Sequence, residues 1–169
     1  QRGQLLRRLA ELIQANLDDL ALLESEDTGK PLHVARTVDI PRAVQNFQFF
    51  ADAATQFSSE FHDMDGQALN YTLRRPLGVV SCIAPWNLPL YLLTWKIAPA
   101  LAAGNVVLAK PSEVTPRTAE RLFQLALDAG RAQPDAFVIG ADLTPAMLEI
   151  AQRAPTASSV VWVCMDAHH

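Results

Sequence analysis

Leu5, Leu6, Leu9, Leu12 and Ile13 recur at helical spacing with arginines and a glutamate between them, which predicts an amphipathic surface helix over 4–16. The pattern stays helical over 17–27 and breaks at Thr28-Gly29-Lys30-Pro31, a glycine followed by a proline. Val44, Phe47, Phe49, Phe50 and Phe57 give a third helical region, 34–57, with a wide apolar face expected in the core. Asp39 is placed to cap its second part and Pro41 to sit in the opening turn. Residues 58–66 are polar and read as a loop. Residues 70–75 then alternate as a strand ended by Pro76, with Tyr71 and Leu73 on one face and no evident partner in the chain.

A strand–helix–strand pattern follows. The β-branched run 79–83 reads as a buried strand, and Pro85-Trp86-Asn87-Leu88-Pro89 breaks it. Asn87 is a good N-cap type, and Pro89 falls near the first helical turn, where a missing N–H costs little. Residues 88–103 are apolar almost throughout, so this helix is expected to be buried on most sides and kinked or divided at Pro99. Gly104 stops it, 105–109 forms a second buried strand, and Lys110-Pro111-Ser112-Glu113 follows at that strand's carboxyl end. Thr115 and Pro116 suit the N-cap and N1 positions of a helix over 117–129, closed by Gly130. A short strand at 137–139, a helix at 144–153 and a strand at 160–164 complete the pattern. The order β-α-β-α-β-α-β predicts an α/β fold with a doubly wound parallel sheet and the N-terminal helices packed outside it. In such sheets ligands bind at the carboxyl ends of the strands, where the polar residues of this stretch collect.

Composition narrows the possibilities. The 169 residues suit about one domain, and half are hydrophobic, enough for a sizeable core. A formal charge of −4 without a basic stripe argues against nucleic acid as partner. Asn87, Lys96 and three prolines interrupt the most apolar region, so no membrane span is expected. Cys82 and Cys164 lack metal-type spacing, and a reduced, cytosolic or organellar compartment is the simple expectation. The opening segment is amphipathic and contains arginine, unlike a signal peptide. Its first residue is Gln1, so the true start is expected to lie further upstream. His33, His62, His168 and His169 are scattered or terminal; neither a catalytic triad nor a metal set assembles from them.

Three linked motifs carry a family resemblance: P-W-N-L-P at 85–89, W-K-I-A-P-A-L-A-A-G-N at 95–105 and K-P-S-E at 110–113. Together they resemble the aldehyde dehydrogenase superfamily over roughly residues 1–130. The wording from Pro85 to Pro99 is especially similar to the branch acting on 2-aminomuconic and 2-hydroxymuconic semialdehydes. The resemblance implies a Rossmann-like NAD-binding domain, divided into N-terminal helices (1–57), an oligomerisation strand (67–76) and a βαβ core (77–169), with the catalytic domain beyond this chain.

Oxidation of an aldehyde through a thiohemiacetal puts negative charge on the former carbonyl oxygen, and one fixed N–H donor beside it contributes roughly 3 kcal/mol. The resemblance gives that role to Asn87; on the residues alone, Asn87 merely caps the next helix. It likewise implies that Lys110 and Glu113 hold the adenosine ribose, with Ser112 beside them, whereas spacing alone gives an exposed turn. An acid on the ribose favours NAD over a 2′-phosphorylated cofactor. Ile83, Ala84, Pro85 and Trp86 would line the same cleft. Leu88, Leu92 and Trp95 would line the aldehyde tunnel, with ordinary core packing the alternative for Leu92. Lys96 would support the wall of the site, since an unpaired buried charge is expensive. The resemblance also allows an acid at Asp27 to help hold a monovalent cation; the alternative is a solvated last turn.

What is absent matters as much. The family's nucleophilic cysteine and glutamate base come from sequence beyond residue 169. Cys82 lies in an apolar strand that raises a thiol's pKa, and Cys164 lacks a glycine-rich nucleophile context. Gly140-Ala141-Asp142 and Cys164-Met165-Asp166-Ala167 depart from the family's turns, and no G-x-G-x-x-G run occurs. The expectation is the N-terminal portion of a cytoplasmic NAD-dependent enzyme, oligomeric at full length and inactive as this chain. The alternative is a truncated product that binds nucleotide or joins oligomers without catalysis.

Overall fold

A computed structural model describes residues 2–131, 138–142 and 160–164, with side chains for 2–130. Among the described residues, six helices and six strands run in the order α1 (Arg2–Ala15), α2 (Leu17–Thr28), α3 (Leu32–Val34), a π-helical turn (Ala35–Asp39), α4 (Ile40–Gln56), β1 (Phe61–Met64), β2 (Ala68–Tyr71), β3 (Val79–Ile83), α5 (Pro89–Ala102), β4 (Val106–Lys110), α6 (Arg117–Arg131), β5 (Val138–Asp142) and β6 (Val160–Cys164). The architecture is α/β. β3 and β4 pair in parallel across the α5 crossover, β5 and β6 also pair in parallel, and β4 runs beside β5. The parallel strands thus form two ladders instead of one continuous one. The helix expected at 144–153 lies outside the described residues.

The apolar periodicity of the helices is the core. Leu6, Leu9 and Ile13 of α1, Leu20 of α2, Phe47 of α4 and Leu90 and Leu93 of α5 are all buried. α4 packs against α1 and α5, and α5 packs on β3 and β4. Asn46, buried on α4, donates to Thr94 Oγ1 (3.0 Å) and Tyr91 O (3.3 Å), fixing the α4–α5 register with a satisfied polar contact.

Several expectations change. Phe49 (66 % exposed) and Phe57 (72 %) leave the core face of the third helical region; the Phe57 ring lies under the Arg74 guanidinium at 5.0 Å. The polar segment 58–66 is not a loop throughout. It contains β1, which pairs antiparallel with β2, so the strand expected at 70–75 has a partner in its own chain and runs earlier, at 68–71. Asp65 and Gly66, with φ of 51° and 72°, make the turn, an Asp-Gly hairpin signal. β3 is buried only at Cys82, with Val79, Ser81 and Ile83 exposed, the alternation of a strand that packs on α5. α5 passes through Pro99 undivided. Gly104 (φ 88°) ends it in a Schellman arrangement, its N–H on Leu101 O and the Asn105 N–H on Ala100 O.

Candidate functional site

The two parallel strands bring their carboxyl ends side by side. Ile83 stands in register with Lys110, and the Ala84 N–H donates to Lys110 O at 3.0 Å. Beyond that bond the chain turns outward. Ala84 is buried, whereas Ile83, Pro85, Trp86 and Asn87 are exposed. The turn is tied down at three carbonyls. Lys96 Nζ donates to Ile83 O, Thr115 Oγ1 to Trp86 O at 3.2 Å, and Lys30 Nζ to Asn87 O at 3.4 Å. Lys96 is therefore placed on a backbone carbonyl, and Thr115 faces this turn.

Asn87 does not cap α5. The N-cap position falls one residue later, at Leu88 (φ −140°, ψ 64°), with no side-chain cap bond, and Pro89 takes the first helical position. Asn87 is exposed, and its side-chain amide makes no hydrogen bond among the described residues.

On the neighbouring strand end, Lys110 Nζ lies 3.5 Å from Glu113 Oε2. Lys110 is half-buried and Glu113 fully exposed. Glu113's own backbone N–H, then Lys110, hold its carboxyl below the usual range, so it is an anionic acceptor at neutral pH. Ser112 Oγ accepts from the Val114 N–H at 3.3 Å, leaving its hydroxyl hydrogen to donate. An ammonium, a hydroxyl and a carboxylate at one strand end suit a vicinal diol, and the carboxylate would repel a phosphate on it. Leu88 and Leu92 are partly buried, while Trp95 is 54 % exposed and packs edge-to-face on Tyr91 at 5.8 Å.

A second charged group, missed in the sequence reading as a unit, lies beneath the turn. Lys30 Nζ is 3.0 Å from Glu24 Oε1 and 2.7 Å from Asp39 Oδ2, with Glu24 0 % and Asp39 3 % exposed. Asp39 was expected to cap α4; the π-helical turn directs its carboxylate onto Lys30 instead, and no cap bond forms. Burial raises the Glu24 pKa, opposed by Lys30 and by the Leu90 backbone N–H. Lys30 is itself raised: its bonds and charge contacts with Asp39 and Glu24 outweigh the lowering by burial, which is the largest single influence. Glu24 Oε2 has no hydrogen-bond partner within the usual geometry. The available signal was spacing: Glu24 follows buried Leu20 by four residues and so shares its inward face.

Asp27 is not in a solvated last turn. Its Oδ2 accepts from the Arg117 N–H at 2.9 Å, so α6 is capped by a carboxylate from α2. Burial raises the Cys82 thiol, with Lys96 opposing, and an inert thiol is the consequence. Among the described residues no cluster of three or more His, Cys, Asp or Glu could hold a metal ion, and no helix is long and apolar enough to cross a membrane.

The aldehyde dehydrogenase family model matches residues 1–141. The chain is 55 % identical over 131 residues to 2-aminomuconic semialdehyde dehydrogenase of Bos taurus, covering 77 % of this chain and 27 % of that protein. It is 46 % identical over 130 residues to 5-carboxymethyl-2-hydroxymuconate semialdehyde dehydrogenase of Escherichia coli, covering 77 % and 28 %. Indole-3-acetaldehyde dehydrogenase, solved in its complex with NAD+, superposes with a TM-score of 0.74 at 41 % identity, covering 76 % of this chain and 26 % of that one. The chain spans little more than a quarter of the length of the curated relatives it matches.

Proposed function

The chain belongs to the aldehyde dehydrogenase family, and from that premise we propose that it is the N-terminal portion of a cytoplasmic NAD-dependent enzyme oxidising an aldehyde to a carboxylic acid. The observation that carries the reading is the register of Ile83 with Lys110, which sets the Asn87 turn beside the Lys110–Glu113 pair. Lys110, Ser112 and Glu113 would hold the adenosine ribose, and Ile83, Ala84, Pro85 and Trp86 would line the cleft. Leu88, Leu92 and Trp95 would face the aldehyde. When bound, NAD supplies a hydride acceptor. Asn87 supplies an amide N–H at the oxygen where charge develops, and its freedom from capping keeps that donor available.

The described cysteine offers no nucleophile: Cys82 is buried with a raised pKa. The isolated chain is therefore expected to form no NADH from an aliphatic aldehyde such as propionaldehyde, measured at 340 nm. Turnover abolished by Cys82→Ser or Cys164→Ser would overturn that reading. Mass determination of the native protein separates a fragment from a complete truncated product. That second reading, a non-catalytic chain that joins oligomers, is favoured by the hairpin β1–β2, where Phe61, Met64, Leu69 and Tyr71 are exposed together with Leu73. The occupant we assign to this edge is a second copy. Sedimentation of the chain against a Tyr71→Lys/Leu73→Lys variant tests it.

A further inference from the structure

The turn carrying Asn87 is held from two sides. Thr115, at the mouth of α6, reaches Trp86 O; Lys30, from the end of α2, reaches Asn87 O. The second anchor is charged, and it is braced by two carboxylates that are almost wholly buried. Glu24 also faces the Leu90 N–H in the first turn of α5. An asparagine just before a helix ordinarily folds its side chain back onto those first amides, which otherwise lack partners. Here Lys30 holds the Asn87 carbonyl in place. That contact acts on the backbone of Asn87 and does not use its side-chain amide.

We infer that Lys30, braced between Glu24 and Asp39, is a positioning residue for Asn87: it fixes the backbone of the turn so that the side-chain amide stays out of capping contact with α5. The significance for chemistry rests on the reading of Asn87 as oxyanion donor given above; the geometry does not.

Removing Lys30 alone would strand two buried carboxylates and destabilise the chain, so the test replaces the whole cluster by Glu24→Leu/Lys30→Met/Asp39→Leu, a change that folded proteins often tolerate. NMR is expected to show shifts in the Asn87 carbonyl 13C and side-chain 15N signals. Amide exchange at Leu90 and Tyr91 should accelerate about tenfold, with Phe47 and Leu93 within about twofold of the parent. A uniform acceleration at all four amides, or unmoved Asn87 signals, would overturn the inference. Should the triple variant not fold, Asp39→Asn keeps the Lys30–Glu24 pair and is expected to shift the same Asn87 signals by a smaller amount; an unmoved Asn87 in that variant contradicts the assignment. NAD titration of the same variants keeps the two readings apart. Failure of the unaltered chain to bind NAD would remove the cofactor assignment, while the Asn87 signals would still decide the role of Lys30.

Discussion

Two lysine–carboxylate groups flank the same turn and have opposite fates. Lys30 with Glu24 and Asp39 is sealed under the turn, whereas Lys110 with Glu113 stands open at the next strand end. The residue types are the same; their solvent exposure is not. A buried pair cannot exchange partners without a heavy desolvation cost, so it serves as a fixed brace. An exposed pair is held weakly, competes with water and can hand its donors and acceptors to a ligand. The contrast explains why one charged cluster can be vital to the fold and another, four residues long, can be free for binding.

The comparison breaks first at Lys30. Lys30→Met should destabilise the chain by about 3–5 kcal/mol, because two buried carboxylates lose their partner. Urea denaturation measures this, and a loss no larger than that of a surface substitution would show the cluster to be solvated.

Next in size is Asn87. In a longer product that carries the nucleophile, Asn87→Ala should lower turnover by about 10²–10³-fold. In the present chain it should leave stability unchanged, since Asn87 caps nothing. A stability loss near 1 kcal/mol, the usual value of a cap, would reassign the residue.

The sequence made the second half of this contrast easier to see than the first. K-P-S-E stands at the end of an apolar run, so its exposure follows from the strand itself, and the helix, strand and glycine stop around it follow from local periodicity and φ requirements. Glu24, Lys30 and Asp39 are brought together by packing of α2 against the π-helical turn, a tertiary event that no local pattern encodes. The same holds for Asp27, whose helix lies ninety residues from the amide it caps. The β1 strand was missed for a different reason. Its side chains are all exposed, so it lacks the one-sided apolar alternation by which strands are read.

A smaller effect concerns pH. The Lys30 pKa is raised by its carboxylate partners, so its stabilisation is fully present below the ordinary value of 10.5 and lost as pH rises through the folded value. Glu24 has the same sign in a different window: its raised pKa favours the folded state when protonated, and that advantage is lost as pH climbs above 4.5 through the folded value. Melting temperature should therefore fall on the alkaline side in the parent chain, and the Glu24→Leu/Lys30→Met/Asp39→Leu variant should lack the part of that fall due to Lys30. Equal alkaline slopes in the two proteins would contradict the assignment.

The smallest effect on stability, and the most informative about binding, belongs to the open pair. Calorimetric titration of NAD into the chain, compared with Lys110→Ala and Glu113→Ala, measures what that strand end contributes. Both variants are expected to melt with the parent and to bind NAD at least tenfold more weakly. An NAD affinity that neither substitution changes would contradict the placement of the cofactor at this crevice.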